Sequence, residues 1–184
     1  EGLQCLPSLV VESHFARASA DVIAGQPIGD RQQIGPFCSA IDVAVAGDDH
    51  TCKSSSLPHQ SEYAFIDASI PVMNPSDVEE IVELGLYGYA LSRFSGCWVG
   101  LKVTQETADA TQNFALSPQA LEIVTPNIAL PPGGLNIRWP DPPNDQEFRL
   151  HRYKLPAALA FARANRLNRT IIDSRDPRLG LVTT

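Results

Sequence analysis

The residues best suited to chemistry lie together in one polar loop. An apolar run, residues 41–46, stops at Gly47 and is followed at once by two carboxylates, Asp48 and Asp49, and a histidine, His50. In α/β proteins ligands bind at the carboxyl ends of the strands. Ionisable residues at such an end are therefore stronger candidates for a site than the same residues elsewhere.

The loop continues through small and hydroxylated residues, among them Ser54 and Ser55, to His59 and Gln60. Its spacing does not match a self-contained metal site: carboxylates and imidazoles bind zinc, manganese or iron, but three successive side chains cannot readily point at one ion. A nucleophilic triad on Ser54, Ser55 or Cys52 lacks a G-x-S-x-G elbow. The glycine patterns of phosphate-binding loops are missing as well. One alternative stays open: Asp49 or Ser54 caps the next helix, and the histidines are surface residues.

Composition bounds the class of protein. The chain has 184 residues, 43% of them hydrophobic, which suits one domain or a domain and a half with a real core. A formal charge of -7 argues against a general nucleic-acid or acidic-membrane binder. Eight of the fourteen Lys and Arg residues fall within residues 149–178, and we interpret this basic region as a solvated helix face.

Cysteine spacing and hydropathy favour a cytoplasmic protein with no membrane or nucleic-acid partner. Cys5, Cys38, Cys52 and Cys97 form no C-x-x-C pair, so a zinc ribbon or iron–sulfur cluster is not expected within this chain. Cys97 lies in an apolar run and is predicted to be a core residue. The chain has neither an apolar run long enough to span a membrane nor a basic segment followed by an apolar one at its start.

The order of elements predicts an α/β fold, a parallel sheet with flanking helices. Strands are predicted at 41–46, 70–75 and 97–104, separated by a helix over 60–69 and by a longer one that ends at Gly96. Ser76 is the predicted N-cap of the longer helix, with Glu79 completing a capping box.

The remaining segments are less regular. Residues 1–40 are predicted to hold a strand and a short helix, and 125–143 form a stiff proline-rich segment that packs through Leu135, Ile137 and Trp139. A helix follows, with a predicted apolar stripe of Leu155, Ala158, Leu159 and Ala162. Short strands are predicted at 170–173 and 179–184. We interpret the second as the first strand of a following domain, and the chain as a piece of a longer polypeptide.

Several long motifs resemble the indolepyruvate ferredoxin oxidoreductase family, in its long fused bacterial form. They cover residues 47–55, 59–62, 70–75, 87–93 and 130–141, together with parts of the helix through residues 153–167. The resemblance spans residues 41–184. It implies that 41–104 are the second half of a thiamine-diphosphate pyrimidine-binding domain, that 105–177 are a connection, and that 178–184 open a second α/β domain, with 1–40 poorly matched.

The resemblance implies oxidative decarboxylation of arylpyruvates. Thiamine diphosphate with Mg²⁺ would supply the electron sink, coenzyme A would take the acyl group, and iron–sulfur clusters would pass electrons to ferredoxin in an oligomeric enzyme. By this resemblance His50 and His59 are candidate catalytic residues. The candidate cofactor-binding residues are Asp48, Asp49, Ser54, Ser55 and Gln60. The alternative for the two aspartates is that they accept backbone N–H bonds and rigidify the loop.

The chain also departs from the family. Residues 1–40 lack the Asn-Glu pair whose glutamate protonates the aminopyrimidine, and the diphosphate motif and cluster cysteines belong to other regions. The chain alone is therefore expected to be inactive. The rival hypothesis is a non-catalytic α/β structural or interaction module that has lost the cofactor residues and acts through the basic helix of residues 149–169.

Overall fold

A computed structural model describes residues 42–115, 121–136, 138 and 141–182. The strands are β1 (Val43–Asp48), β2 (Val72–Met73) and β3 (Val99–Thr104), and the α-helices are α1 (Glu62–Asp67), α2 (Val78–Ser95), α3 (Gln105–Ala108), α4 (Pro143–Arg149) and α5 (Leu155–Ala164), with a π-helical turn at Leu150–Lys154 between the last two. The predictions for residues 1–40, Ile137 and Trp139 fall outside the described residues. No described helix is both long and apolar enough to cross a membrane.

The described strands form one parallel sheet in the order β1-β3-β2. β1 pairs with β3 from Val43↔Val99 to Asp48↔Thr104, and β2 pairs with β3 at Val72↔Gly100. This confirms the predicted α/β class with a parallel sheet and flanking helices. β3 is the central strand, and its first five residues are all buried.

β1 begins later than predicted and runs two residues further, to Asp48. Side chains alternate between the faces of a strand, so Asp48 lies on the same face as Ala46 and its β3 partner, Lys102. Helix α1 covers this face: a Cβ added at Gly100 would meet the ring of Phe65 at 3.0 Å. The extra residues of β1 thus carry the aspartate into the space beside α1.

Helix α2 is capped one residue later than predicted. Asp77 is the N-cap, and its Oδ1 accepts from the Glu80 N–H at 2.8 Å. Glu80 in turn accepts from the N–H and hydroxyl of Ser76, at 2.9 and 2.7 Å. The predicted capping box of Ser76 and Glu79 is therefore wrong by one residue. The Asp77 carboxylate is the stronger acceptor at the helix N-terminus, and it also faces the positive end of the helix dipole.

The predicted end of α2 at Gly96 is confirmed. Gly96 has a φ of 70° and its N–H donates to the Ser92 carbonyl. A Cβ at this position would lie 2.6 Å from the carbonyl oxygen of Leu135, so glycine is needed for the close approach as well as for the left-handed backbone. Leu135 is buried, as predicted for this part of the proline-rich segment, and so is Cys97.

Helix α2 packs on the face of the sheet opposite α1, and α5 packs on α2. The buried core comprises Met73, Leu91, Val99, Leu101, Val103, Ala158 and Phe161. On α5 the predicted stripe is wrong by one residue: Leu159 is 57% exposed, whereas Lys154, Ala157, Ala158 and Phe161 are buried. The shift arises because a lysine begins the stripe, with its Nζ donating to the Gly96 carbonyl at 3.3 Å.

The basic C-terminal region is only partly a solvated face. Arg149 and Lys154 are buried, and Arg149 donates to the carbonyls of Pro132 and Gly134. Arg152 and Arg163 are exposed, as expected of a solvated face. Arg149 therefore holds the proline-rich turn against the C-terminal helical region, and Lys154 holds the end of α2 against it.

The strand predicted at 170–173 is wrong, and residues 179–182 form no strand either. Ile171 and Ile172 are 73% and 87% exposed, and Leu181 is 85% exposed. A strand needs a hydrogen-bonding partner, and these residues pair with none of the described strands. Residues 183 and 184 lie outside the described part.

Candidate functional site

Asp48 is the centre of the polar cluster at the carboxyl end of the sheet. Its side chain is fully buried. Oδ2 accepts from the backbone N–H and the hydroxyl of Ser61, at 2.9 and 3.1 Å, and Oδ1 lies 3.2 Å from Nδ1 of His59. A buried carboxylate is stable only when its oxygens are hydrogen-bonded. The loop thus brings together two of the predicted site residues, Asp48 and His59, which are eleven positions apart.

His50 and His59 flank this carboxylate from two sides. Nε2 of His50 lies 3.8 Å from Asp48 Oδ2, beyond hydrogen-bonding distance. The two side chains are 44% and 45% exposed, so part of each ring is accessible, but only His59 is hydrogen-bonded to Asp48. Gln60, the next predicted site residue, is exposed.

Lys102 and Glu62 complete the cluster and were not among the predicted site residues. The Lys102 ammonium is buried, lies 3.8 Å from Asp48 Oδ2 and hydrogen-bonds to Glu62 Oε1. That bond from Lys102 lowers the pKa of the Glu62 carboxyl. A signal was present in the sequence: Lys102 is the one charged residue in the apolar run 97–103. A lysine on a buried strand almost always has a charged partner.

Asp49 shapes the loop that carries the histidines. Its carboxylate accepts from the backbone N–H groups of Ser54, Ser55 and Lys53, at 2.7, 2.8 and 3.0 Å, and from the Ser54 hydroxyl at 3.2 Å. Its carbonyl oxygen accepts from the His59 N–H at 3.0 Å. The predicted cap at Asp49 or Ser54 is wrong, because α1 begins only after Ser61. Asp49 closes the loop upon itself instead.

The backbone hydrogen bond from Ser54 has the largest effect on the pKa of Asp49. Together with the bonds from Lys53 and Ser55, it holds that pKa well below its usual range. A carboxyl whose folded pKa is lowered contributes stability above its unfolded pKa, and that contribution is lost as the pH falls through the folded value. We therefore expect the loop to stay closed through mildly acidic conditions and to loosen only in strong acid.

Replacing Asp49 by Asn should open the loop at neutral pH. The amide is a weaker acceptor than the carboxylate and cannot serve four donors equally. Amide hydrogen exchange at Ser54 and Ser55 should become about tenfold faster, because both N–H groups lose a charge-assisted acceptor. Asp67→Asn, at an exposed aspartate of α1, is the matched control. Unchanged exchange in the Asp49 variant would contradict the assigned role.

Two further acceptors are buried beside the cluster. Glu62 Oε2 and Gln105 Oε1 have no hydrogen-bond partner among the described residues. Gln105 directly follows Thr104, the β3 partner of Asp48, so it belongs to the same edge of the sheet. The groups of this edge that a ligand can reach are therefore the two partly exposed imidazoles, whereas the two unpaired acceptors are enclosed.

No group of three or more His, Cys, Asp and Glu residues in the described ranges could hold a metal ion. The chemistry supported by these side chains is hydrogen bonding and proton transfer by imidazole. The chain matches no protein-family model, no curated protein and no solved structure, so this assignment depends on the geometry of the cluster itself.

Proposed function

We propose that this chain contributes part of the pyrimidine-binding domain of a thiamine-diphosphate-dependent 2-oxoacid:ferredoxin oxidoreductase acting on arylpyruvates such as indolepyruvate. One observation carries the proposal. The polar cluster centred on Asp48 lies at the carboxyl end of a parallel sheet, where α/β proteins bind ligands, and its loop includes residues 47–55, one of the motifs that carry the resemblance.

The described residues do not fit a diphosphate or Mg²⁺ site. Both oxygens of Asp48 and of Asp49 already accept hydrogen bonds from the chain itself. Mg²⁺ requires free oxygen ligands, and an anionic diphosphate would be repelled by two carboxylates. In the proposal, other regions of the enzyme hold thiamine diphosphate, Mg²⁺ and the iron–sulfur clusters, and they also contact coenzyme A and ferredoxin, in a cytoplasmic oligomer.

The proposed role of this edge is to border the 2-oxoacid. His50 or His59 contacts the substrate carboxylate or holds a proton during decarboxylation, because imidazole changes its charge near neutral pH. Asp48 and Asp49 contribute by holding the loop that carries the histidines. Ser54 and Ser55 contribute by donating their backbone N–H groups to Asp49. The cofactor supplies the electron sink for decarboxylation, and this chain supplies orientation and a local proton acceptor.

The rival function is a non-catalytic module that binds an acidic partner. The observation in its favour is a set of exposed arginines before, on and after α5, namely Arg152, Arg163, Arg166 and Arg169, of which Arg169 already pairs with Glu80 at 3.2 Å. Arg149 and Lys154, which the rival hypothesis also used, are buried and engaged with backbone carbonyls. The basic surface available for such a partner is therefore smaller than the sequence suggests.

A segment exchange tests the proposal. Residues 41–184 would replace the matching segment of an indolepyruvate ferredoxin oxidoreductase, and coenzyme-A-dependent reduction of ferredoxin by indolepyruvate would be measured. We expect activity with the exchanged segment and none when the segment is deleted. A chimaera that assembles with full cluster and thiamine diphosphate content but shows no turnover would support the non-catalytic module instead.

Within an active chimaera, the histidines can be tested directly. Replacing His50 and His59 together by Gln should lower kcat by about 10²–10⁴-fold if an imidazole transfers a proton in the transition state. His151→Gln, at an exposed histidine of the π turn, is the control and should leave kcat unchanged. Unchanged kcat and cofactor affinity in the double variant would remove both histidines from the mechanism.

A further inference from the structure

We infer that Asp48 is a positioning residue that holds His59 in the tautomer with its proton on Nδ1, which leaves Nε2 as the atom that meets a ligand at the carboxyl end of the sheet. His50 has no such partner and is not equivalent. That the ligand is a 2-oxoacid rests on the proposed function, whereas the tautomer does not.

The first step is the direction of the hydrogen bond. Nδ1 of His59 lies 3.2 Å from Asp48 Oδ1. An ionised carboxylate can only accept, so the proton of this bond has to be on the imidazole. The hydrogen bond at one ring nitrogen decides which nitrogen is protonated, and here it assigns the proton of the neutral ring to Nδ1.

The second step is that the other oxygen of Asp48, Oδ2, is occupied by groups outside the histidine loop. Ser61 donates to Asp48 Oδ2 through its backbone N–H and its hydroxyl, and the Lys102 ammonium lies 3.8 Å from the same oxygen as an ion-pair partner. Because Ser61 and Lys102 occupy the side of Oδ2, Oδ1 is left to His59. The orientation of the histidine is thus set by groups on two other elements, α1 and β3.

The third step separates the two histidines. His50 approaches Oδ2 through Nε2 at 3.8 Å, which is beyond hydrogen-bonding distance, and Oδ2 is already bonded to Ser61. Its tautomer is therefore not set by Asp48. Of the two candidate catalytic residues, only His59 has an accessible ring whose outward nitrogen is defined by a buried partner.

A defined Nε2 gives the site two modes of recognition. In the neutral ring, Nε2 accepts a hydrogen bond or a proton from the ligand, and in the protonated ring it donates to a carboxylate. In both modes Nδ1 keeps its bond to Asp48. The charged and titratable groups facing His59 and its partner are Asp48, Lys102, Glu62 and His50. A carboxylate-bearing ligand fits the second mode.

Long-range proton–nitrogen NMR of the ¹⁵N-histidine-labelled 184-residue chain tests this inference. Spectra would be recorded about two units above the ordinary histidine pKa of ~6.5, where imidazoles are neutral. We expect His59 to show a protonated Nδ1 and a bare Nε2, and His151 to show the tautomer mixture of a free side chain. A protonated Nε2 on His59 in the wild-type chain would overturn the inference without any variant.

Two variants complete the test. Asp48→Ala, which leaves no acceptor, should abolish the preference of His59 for the Nδ1–H tautomer, whereas His50→Gln should leave it unchanged. Persistence of the preference without the carboxylate would show that Asp48 does not set it. Titration of the wild-type chain with indole-3-pyruvate should then move the His59 Nε2 resonance more than that of His50. An unmoved Nε2 with an intact tautomer would count against the proposed substrate and not against the positioning role.

Discussion

Replacing Lys102 by Met should lower the free energy of unfolding by about 3–5 kcal/mol, the cost of removing one partner from a buried ion pair. The Lys102 side chain is 3% exposed and lies between Glu62 and the fully buried Asp48. Methionine fills a similar volume, so packing changes little. The loss comes from two carboxylates left facing each other at the edge of the sheet without a cation, and urea unfolding at neutral pH would measure it.

The deficit of this variant should depend on pH. In the wild-type chain the hydrogen bond from Lys102 lowers the pKa of Glu62. That stabilisation is present above the unfolded pKa of about 4.3 and is lost as the pH falls through the lower folded value. In the variant the carboxyls can be protonated in the folded state. The difference between the two proteins should therefore be greatest near neutral pH and shrink in acid.

Lys53→Met is the matched control for Lys102→Met. Lys53 also pairs with a glutamate, Glu106 at 3.0 Å, but both side chains are about half exposed. Surface pairs of this kind contribute about 0–1 kcal/mol. Equal losses in the two variants would mean that the Lys102 pair is solvated in solution, and a pH-independent deficit would mean that packing and not charge is responsible.

Replacing Phe161 by Ala should also lower the free energy of unfolding by about 3–5 kcal/mol, because it leaves a cavity in the core. Phe161 is 1% exposed and belongs to the core cluster between α5 and the sheet, with its ring centroid 5.9 Å from that of Phe94. Its ring joins the C-terminal helix to α2, which packs on the sheet. Its removal should weaken the attachment of the whole helix.

Phe148→Ala provides the comparison. Phe148 is 59% exposed and meets Tyr153 in an edge-to-face pair at 6.0 Å. An aromatic pair contributes about 0.5–1.5 kcal/mol, so the loss should remain within that range. Urea unfolding followed by far-UV circular dichroism would measure the free energy of unfolding of both variants. A loss of under about 1.5 kcal/mol for Phe161→Ala would show that α5 is not integral to the folded core.

Local sequence signals predicted the elements that are governed by local chemistry. The end of α2 was found at Gly96 because a left-handed C-cap requires a residue without a Cβ. The parallel α/β class followed from apolar runs that alternate with helical segments. The strand predicted at 170–173 failed for the opposite reason, since a strand exists only with a partner edge and no local signal reports one.

The sequence predicted the loop in which the site lies, but it did not predict that Lys102 and Glu62 belong to the site. The loop with Asp48, Asp49 and His50 was identified from its position after an apolar run. The bonds that organise it depend on strand register, which puts Lys102 opposite Ala46, and on the loop closure by Asp49. Lys102 and Glu62 are forty positions apart, so neither residue predicts the other from spacing alone.

The π-helical turn between α4 and α5 has a consequence for the whole C-terminal region. Its wider hydrogen bond, from the Leu155 N–H to the Leu150 carbonyl, accommodates one more residue than an α-helical turn. In a regular α-helix Arg149 and Lys154, five positions apart, would point about 140° away from each other. With the wider turn in place, Arg149 donates to the Gly134 carbonyl and Lys154 donates to the Gly96 carbonyl. A single-residue deletion at exposed Arg152 would restore the α-helical phase at the expense of one of these anchors. The helix therefore works as a spacer of fixed length, matched to the distance between two loops that are remote in the sequence.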